Sequence, residues 1–405
     1  MKIPFSPPDI NQDDINEVID TLQSGWITTG PKTVKFEEEL STYSHTKHTH
    51  CVNSATAALE MVLRLFNIGE GDEVITSAYT YSASASVIHH VGAKIVLCDL
   101  AEDSFFMDGE KLAGLITDKT KAIIPIDIGG VMCDYDSLFE LVESKKHLFK
   151  ANGAYQEALG RVLILSDAAH SLGAVYKGQP SGSVADFTCF SFHAVKNLTT
   201  AEGGSVTWKE QPFFSSDDIK HRLKMLTLHG QSKNALEKTG PGAWEYDIEI
   251  LGYKSNMTDI AASLGLSQLR RYDEMLKRRH EIAERYVKGL DSEKLSFLHH
   301  FSNDMGRTSA HLMLVLLHGK DETFRNELII MLAERGISAN VHYKPLPMFT
   351  AYRNLGFDIA DFPEAYRQYQ RVISLPIYST LSDGDVDYVT NHFWECYEQL
   401  EKKTF

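Results

Sequence analysis

Cysteine is scarce in this chain. The five present, Cys51, Cys98, Cys133, Cys189 and Cys396, are scattered, odd in number and mostly set in apolar stretches. That argues against a disulfide framework and reads as reduced core residues of a cytosolic protein. Basic charge is in deficit as well: 40 Lys and Arg stand against 55 Asp and Glu, a net charge of −15. Surfaces built for nucleic acid or an anionic membrane need the opposite balance, so neither partner is expected, although a local basic pocket for a phosphorylated ligand is compatible. No apolar run reaches the roughly 20 residues of a membrane span. The opening stretch Met1 to Pro8 has no apolar leader core, so the expected location is the cytoplasm. Repeats and low-complexity tracts are also missing. What remains is an ordinary globular composition, 43% hydrophobic and 23% charged. At 405 residues the chain exceeds the size at which one core keeps growing, so two domains are expected.

The first part alternates strand and helix patterns. Val52 to Leu63 runs from a strand end into an Ala/Leu-rich helix, and short apolar runs follow at 73–76, 93–99, 121–126 and 162–165. Runs without polar alternation, separated by helix-length stretches, predict a mostly parallel sheet covered on both faces. Residues 143–161 are polar and Lys-rich, with no evident purpose. After Gly252 the texture changes: an amphipathic helix pattern at 257–276, extended to 286, then strand patterns at 311–317 and 373–377 and helices at 324–334 and 386–400. The domain boundary is placed near residue 250, giving 1–250 and 251–405.

The most informative stretch is Phe190 to Gly204. It sets Lys196 between an apolar run, 187–192, and a Gly pair that opens another β-rich run, 205–208. Most lysines are solvated; one flanked like this leaves a strand end and lies in a turn. Ser191 precedes it by five residues, close enough to hold an anion while the amine bonds to the same cofactor. Pyridoxal phosphate needs that set: a Schiff-base lysine, a phosphate cup and an aspartate at the pyridinium nitrogen. Asp167 ends the apolar strand pattern Leu163 to Ser166 and precedes Ala168, Ala169 and His170. As a plain helix cap it would also be unremarkable. Ser54, Ala55 and Thr56 open a helix, where free N–H groups suit a phosphate.

These motifs, with Thr199-Thr200-Ala201-Glu202-Gly203-Gly204 and Gly252 to Asp259, resemble the DegT/DnrJ/EryC1/StrS sugar aminotransferases, from Ile3 through Tyr378. The resemblance implies an α/β chain of the type I aminotransferase fold, with a mostly parallel central sheet, helices on both faces and a smaller C-terminal α+β domain. It makes Lys196 and Asp167 catalytic. Ala55, Thr56 and Ser191 fall at the phosphate, joined by Ser54, and His170 near the cofactor's phenolic oxygen. Tyr81 stacks on the ring, with Tyr79 as a competing choice. Lys254 or Asn256 reaches a partner's phosphate across a homodimer interface. Thr28, Thr29 and Gly30, with His342 and Tyr343, lie on the substrate side. The implied reaction takes an amino group from L-glutamate to a nucleotide-linked keto sugar. The version of the motif here resembles enzymes acting at C4 of UDP-linked 4-keto-6-deoxy-N-acetylhexosamines for surface polysaccharides, with C3 transamination of a TDP-keto sugar as competitor. A pyridoxamine-dependent dehydratase, in which His replaces the lysine, and a non-catalytic cofactor-binding regulator are the rivals of the same fold. Intact Lys196, Asp167 and Ser191 weigh against both.

Two patterns are set aside. His45, His48 and His50 lie close together on what reads as a solvated loop, without Cys or carboxylate partners, so no metal is expected. Asn197-Leu198-Thr199 matches a glycosylation sequon and is taken as chance.

Overall fold

The computed structural model describes residues 2–212, 215–233, 245–300 and 306–403. Its centre is a seven-stranded sheet. In spatial order the strands are Thr49–Val52, Gly204–Trp208, Phe187–Ser191, Leu163–Asp167, Thr120–Ile124, Glu73–Ser77 and Lys94–Cys98. Only Gly204–Trp208 runs against its neighbours. The strands lack alternation because both faces are covered: Glu73–Ser77, Thr120–Ile124 and Leu163–Asp167 are buried at every position. Helix Ala55–Leu65 packs Leu59, Val62 and Leu63 into the core on one face; Leu112, Tyr135 and Val142 pack with Ile123 and Ile164 on the other. This is an α/β arrangement with a mostly parallel central sheet covered on both faces.

A parallel sheet gathers its carboxyl ends on one edge, and that edge collects the chemistry. Asp167 ends one strand and Ser191 the next, with Asp167 paired to Cys189. Val52 and Ser191 both pair with Gly204, so the antiparallel strand starts where its neighbours end.

A second sheet joins Leu295–Phe297, Met313–Leu317 and Val372–Leu375. Helices Tyr272–Gly289, Glu322–Glu334 and Asp383–Lys403 cover it. The helical pattern at 257–276 is two elements: Asp259–Arg270 ends and Tyr272–Gly289 begins across Arg271. Arg271 is held there by Asp9 and Asp14. We propose a division into domains near residue 250, crossed in both directions. Ile3 sits in the C-terminal core and bridges Ile337. Helix Asp259–Arg270 packs through Leu266 against Phe36 of helix Pro31–Tyr43.

Only the end of the histidine stretch departs from a solvated loop; His45 is exposed in a turn. His50 is buried on strand Thr49–Val52, with Nε2 against Thr227 Oγ1 at 2.9 Å and Nδ1 against Glu37 at 3.2 Å. His48 reaches Asp217 at 2.6 Å. A strand edge that reads as polar is buried here because Glu37 and Thr227 supply partners from distant segments. The 143–161 stretch holds a short 3₁₀ turn, Lys146–Leu148, and helix Ala154–Leu159. Gln156 and Asn152 tie it to Phe66 and Asn67, and Arg161 closes on Asp186 at 2.7 Å.

Gly204 is required by close approach. A Cβ there would stand 2.5 Å from Ala55 N and Ser54 C and 2.8 Å from Phe190 O, all backbone atoms. The expected result of Gly204→Ala is a loss of about 1–3 kcal/mol of stability from overpacking, measured by denaturant unfolding of the cofactor-free protein.

Candidate active site

The sheet edge opens into a cavity of about 480 Å³. Its wall brings together Ser54, Ala55, Thr56, Tyr81, Asp167, His170, Ser191, Lys196, His342 and Tyr343 from the sequence-predicted set. Phe5, His311 and Gly203 also line it.

Lys196 follows strand Phe187–Ser191 in a turn closed by its own N–H donating to His193 O at 2.9 Å. Its amine makes no hydrogen bond or ion pair with another of the described residues. Desolvation lowers that amine to about 8, and the Asp167 carboxylate opposes the shift. Asp167 is held by Ser84 Oγ, which donates at 2.6 Å, and by the Ala169 N–H at 3.2 Å. Burial raises its carboxyl above the usual range, with the Ser84 hydrogen bond, the Ala169 N–H and Lys196 opposing.

His170 is neutral and its tautomer is set. The Gly129 N–H donates to Nδ1 at 3.1 Å, so the proton sits on Nε2, which meets the Tyr343 hydroxyl at 3.1 Å. Burial, then Lys196 and His342, hold its imidazole well below the usual range. His342 stacks on Phe5 at 5.4 Å, and burial with Lys196 nearby pushes it down to about 4.

The two tyrosines separate cleanly. Tyr79 is buried, its hydroxyl donating to His342 O at 2.9 Å. Tyr81 stands at the start of helix Ser82–His90, is 65% exposed and faces the cavity, 6.3 Å from the Tyr343 ring. At the helix start Ser54 Oγ accepts from the Ala57 N–H at 3.1 Å and is therefore occupied as a cap. The first N–H groups of Ala55–Leu65, with Thr56 and Ser191 on the same cavity wall, are the candidates for an anion cup.

Thr28, Thr29, Gly30, Lys254 and Asn256 do not line this cavity. They form a knot of their own. Asn256 Nδ2 donates to Thr29 Oγ1 at 2.6 Å, Lys254 donates to Asn256 Oδ1, and the Asp259 carboxylate accepts from Gly30 N at 2.8 Å while its N–H donates to Thr28 O. Sequence reasoning missed Ser84 and His311. Ser84 lies 83 residues from Asp167, and its only local sign is a hydroxyl one turn into the helix after Tyr81.

These residues fit pyridoxal phosphate: an unpartnered amine, a buried carboxylate, an N–H cup and a backbone approach at Gly204 that admits no side chain. Residues 8–393 match the model of the DegT/DnrJ/EryC1/StrS aminotransferase family. The chain belongs to that family. It is 39% identical over 389 residues to the spore coat polysaccharide biosynthesis protein SpsC of Bacillus subtilis strain 168, spanning 95% of this chain and 94% of that one. It is 33% identical over 404 residues to the UDP-4-amino-4-deoxy-L-arabinose–oxoglutarate aminotransferase of Shewanella sediminis, spanning 96% of each. Spr1654 of Streptococcus pneumoniae, solved in its PMP form, superposes with a TM-score of 0.96 at 52% identity, over 98% of this chain and all of that one. The chain is a sugar aminotransferase of this family, and its cofactor is pyridoxal 5′-phosphate.

Borohydride reduction of the cofactor-loaded protein, followed by peptide mass mapping, is expected to put the label on Lys196. A label on a different lysine would overturn the assignment.

Proposed function

We propose that this chain moves an amino group from L-glutamate to the C4 keto carbon of a nucleotide-linked keto-deoxy sugar, such as UDP-2-acetamido-4-keto-2,6-dideoxyhexose, for surface polysaccharide biosynthesis. The carrying observation is the unpartnered Lys196 amine in a cavity shared with Asp167. The Shewanella relative's name supports the C4 position and the oxoglutarate–glutamate couple, and the Bacillus relative's name supports a polysaccharide pathway.

When bound, the cofactor supplies an electron sink for the donor Cα–H bond and carries the nitrogen between the two substrates. Lys196, depressed to about 8, is near the range in which an amine both takes and returns a proton at neutral pH. It would serve as the group that takes the proton from the donor Cα and returns it. Asp167 would keep the ring nitrogen protonated, because a cation beside a buried carboxylate restores its ionised form. Ala55, Thr56 and Ser191 would hold the phosphate, and Tyr81 would cover the ring. His170, whose Nε2–H meets the Tyr343 hydroxyl, would stand near the phenolic oxygen, and His342 and Tyr343 would wall the substrate side. An N–H cup lets a chain of net charge −15 take anionic ligands without a basic surface.

The working unit is a cytoplasmic homodimer with shared sites. Thr28–Gly30, Lys254 and Asn256 lie on one surface, outside their own chain's cavity. Ile27, Val34, Tyr253 and Leu251 are exposed large apolar residues of the same segments, Leu251 at 95%. A two-fold interface would bring that knot to the partner's cavity.

L-Glutamate is expected to convert the bound cofactor's visible band to that of the amine form, and the 4-keto sugar to reverse it. Reversal by a 3-keto sugar alone would shift the assignment to C3. Mixing a Lys196→Ala chain with a Lys254→Ala/Asn256→Ala chain is expected to restore activity at up to roughly half the sites of each mixed dimer. Verified heterodimers without recovery would exclude shared sites.

A further inference from the structure

A run of hydrogen bonds with a fixed sense leads from the backbone into the cavity. Gly129 lies in the turn Ile128–Gly130 with a φ of 63°, a left-handed conformation that favours glycine. A Cβ there would stand 2.4 Å from Leu298 Cδ2. Its N–H donates to His170 Nδ1 at 3.1 Å, and a backbone N–H cannot accept. The His170 ring is neutral, so its one proton is on Nε2 and is donated to the Tyr343 hydroxyl oxygen at 3.1 Å. Tyr343 therefore accepts from the ring and keeps its own proton to give. That proton has no acceptor among the described residues. Burial, then Asp167, Tyr79 and Tyr81, raise the hydroxyl above its usual range, so it stays protonated. Both ends of the run are held. His170 packs on His311 with centroids 4.3 Å apart. The His311 ring is fixed in turn: Asn197 Nδ2 donates to Ser309 O at 2.8 Å, which leaves its Oδ1 to accept from His311 Nδ1 at 2.8 Å. Tyr343 lies on a segment tied to residues 78 and 79. Tyr79 Oη donates to His342 O at 2.9 Å, and the Leu346 N–H donates to Ala78 O at 2.9 Å.

We propose that Tyr343 is a hydrogen-bond donor to an oxygen of the bound ligand, its sense fixed by Gly129 acting through His170. A donor left without a partner on a cavity wall is costly once water is displaced, and an acceptor on the ligand removes that cost. Tyr343 and His170 line the same cavity as Lys196, Asp167 and Tyr81. The acceptor that suits a neutral phenol is an oxygen carrying or developing negative charge. Two such oxygens enter the cavity of a transaminase: the phenolic oxygen of the cofactor and the keto oxygen of the substrate. The hydrogen bond breaks no covalent bond, and the proton stays on Tyr343. The inference rests on the cofactor being seated at Lys196.

Tyr343→Phe keeps the ring and its packing and removes the donor. Two readouts are taken on the cofactor-loaded protein without turnover. The first is the pH midpoint of its visible band. A donor at the phenolic oxygen favours the deprotonated, more negative form, so its loss is expected to raise the midpoint by about one unit. The second is the dissociation constant of 2-oxoglutarate relative to glutarate, which has the same two carboxylates and no keto oxygen. Both are bound to the aldehyde form of the cofactor, which has no nitrogen to pass on. A donor at the keto oxygen makes 2-oxoglutarate the tighter ligand, and its loss is expected to reduce that preference about fivefold. A moved midpoint assigns the donor to the cofactor, and a moved preference assigns it to the substrate. If neither moves in folded Tyr343→Phe protein, the proposal is overturned. Failure of the underlying reading looks different: the unaltered protein then shows no pH-dependent visible band and no borohydride label at Lys196.

Discussion

A lysine amine taken out of water beside a single carboxylate is the constraint on which this molecule turns. Desolvation disfavours the ammonium, and Asp167 alone opposes that. The balance leaves an amine that exchanges its proton near neutral pH, which an exposed lysine does not do. A second cation nearby would push the amine further down; a second carboxylate would hold it charged. The surrounding residues avoid both outcomes.

The sheet makes this possible. Six strands run one way, so Asp167, Ser191 and the Asn53–Ser54 turn are delivered to one edge without long loops. The seventh runs back from the same edge, and its first residue, Gly204, lets the backbone of Ala55 approach. The phosphate cup and the lysine turn are therefore parts of one packed layer. That layer is rigid because strand pairing sets its spacing.

Several histidines near this centre stay neutral by burial, and hydrogen bonds set the tautomers of two of them. His170 takes its orientation from Gly129, and His311 from Asn197. Arg279 carries a full charge nearby, yet its hydrogen bonds go to three carbonyls of the C-terminal segments. It acts as a brace: the positive charge is spread over backbone dipoles, which holds the segments at 310–311 and 377, next to strands Met313–Leu317 and Val372–Leu375, against the cavity. Ser309 also ties to His170 O and Gly130 O. The cavity wall is thus built from both halves of the chain, and a displacement of either half alters the setting of the same two rings.

What was legible in the sequence was local. Asp167 ends an apolar run, Lys196 follows one, and Gly203-Gly204 opens another; each sits within a few residues of the pattern that explains it. Uninterrupted apolar runs of strand length also announce a sheet covered on both faces, because the pattern records burial directly. Tertiary structure alone decided the rest. Tyr79 and Tyr81 differ by two positions and look alike in sequence, but the first is buried against His342 O and the second opens to the cavity. His50 reads as part of a polar loop until Glu37 and Thr227 enclose it. Ser84 and His311 gain their roles from Asp167 and Asn197, 83 and 114 residues away. Periodicity reports which face of an element is buried; it carries no information about which distant polar group arrives to meet it, since that follows from how the elements pack.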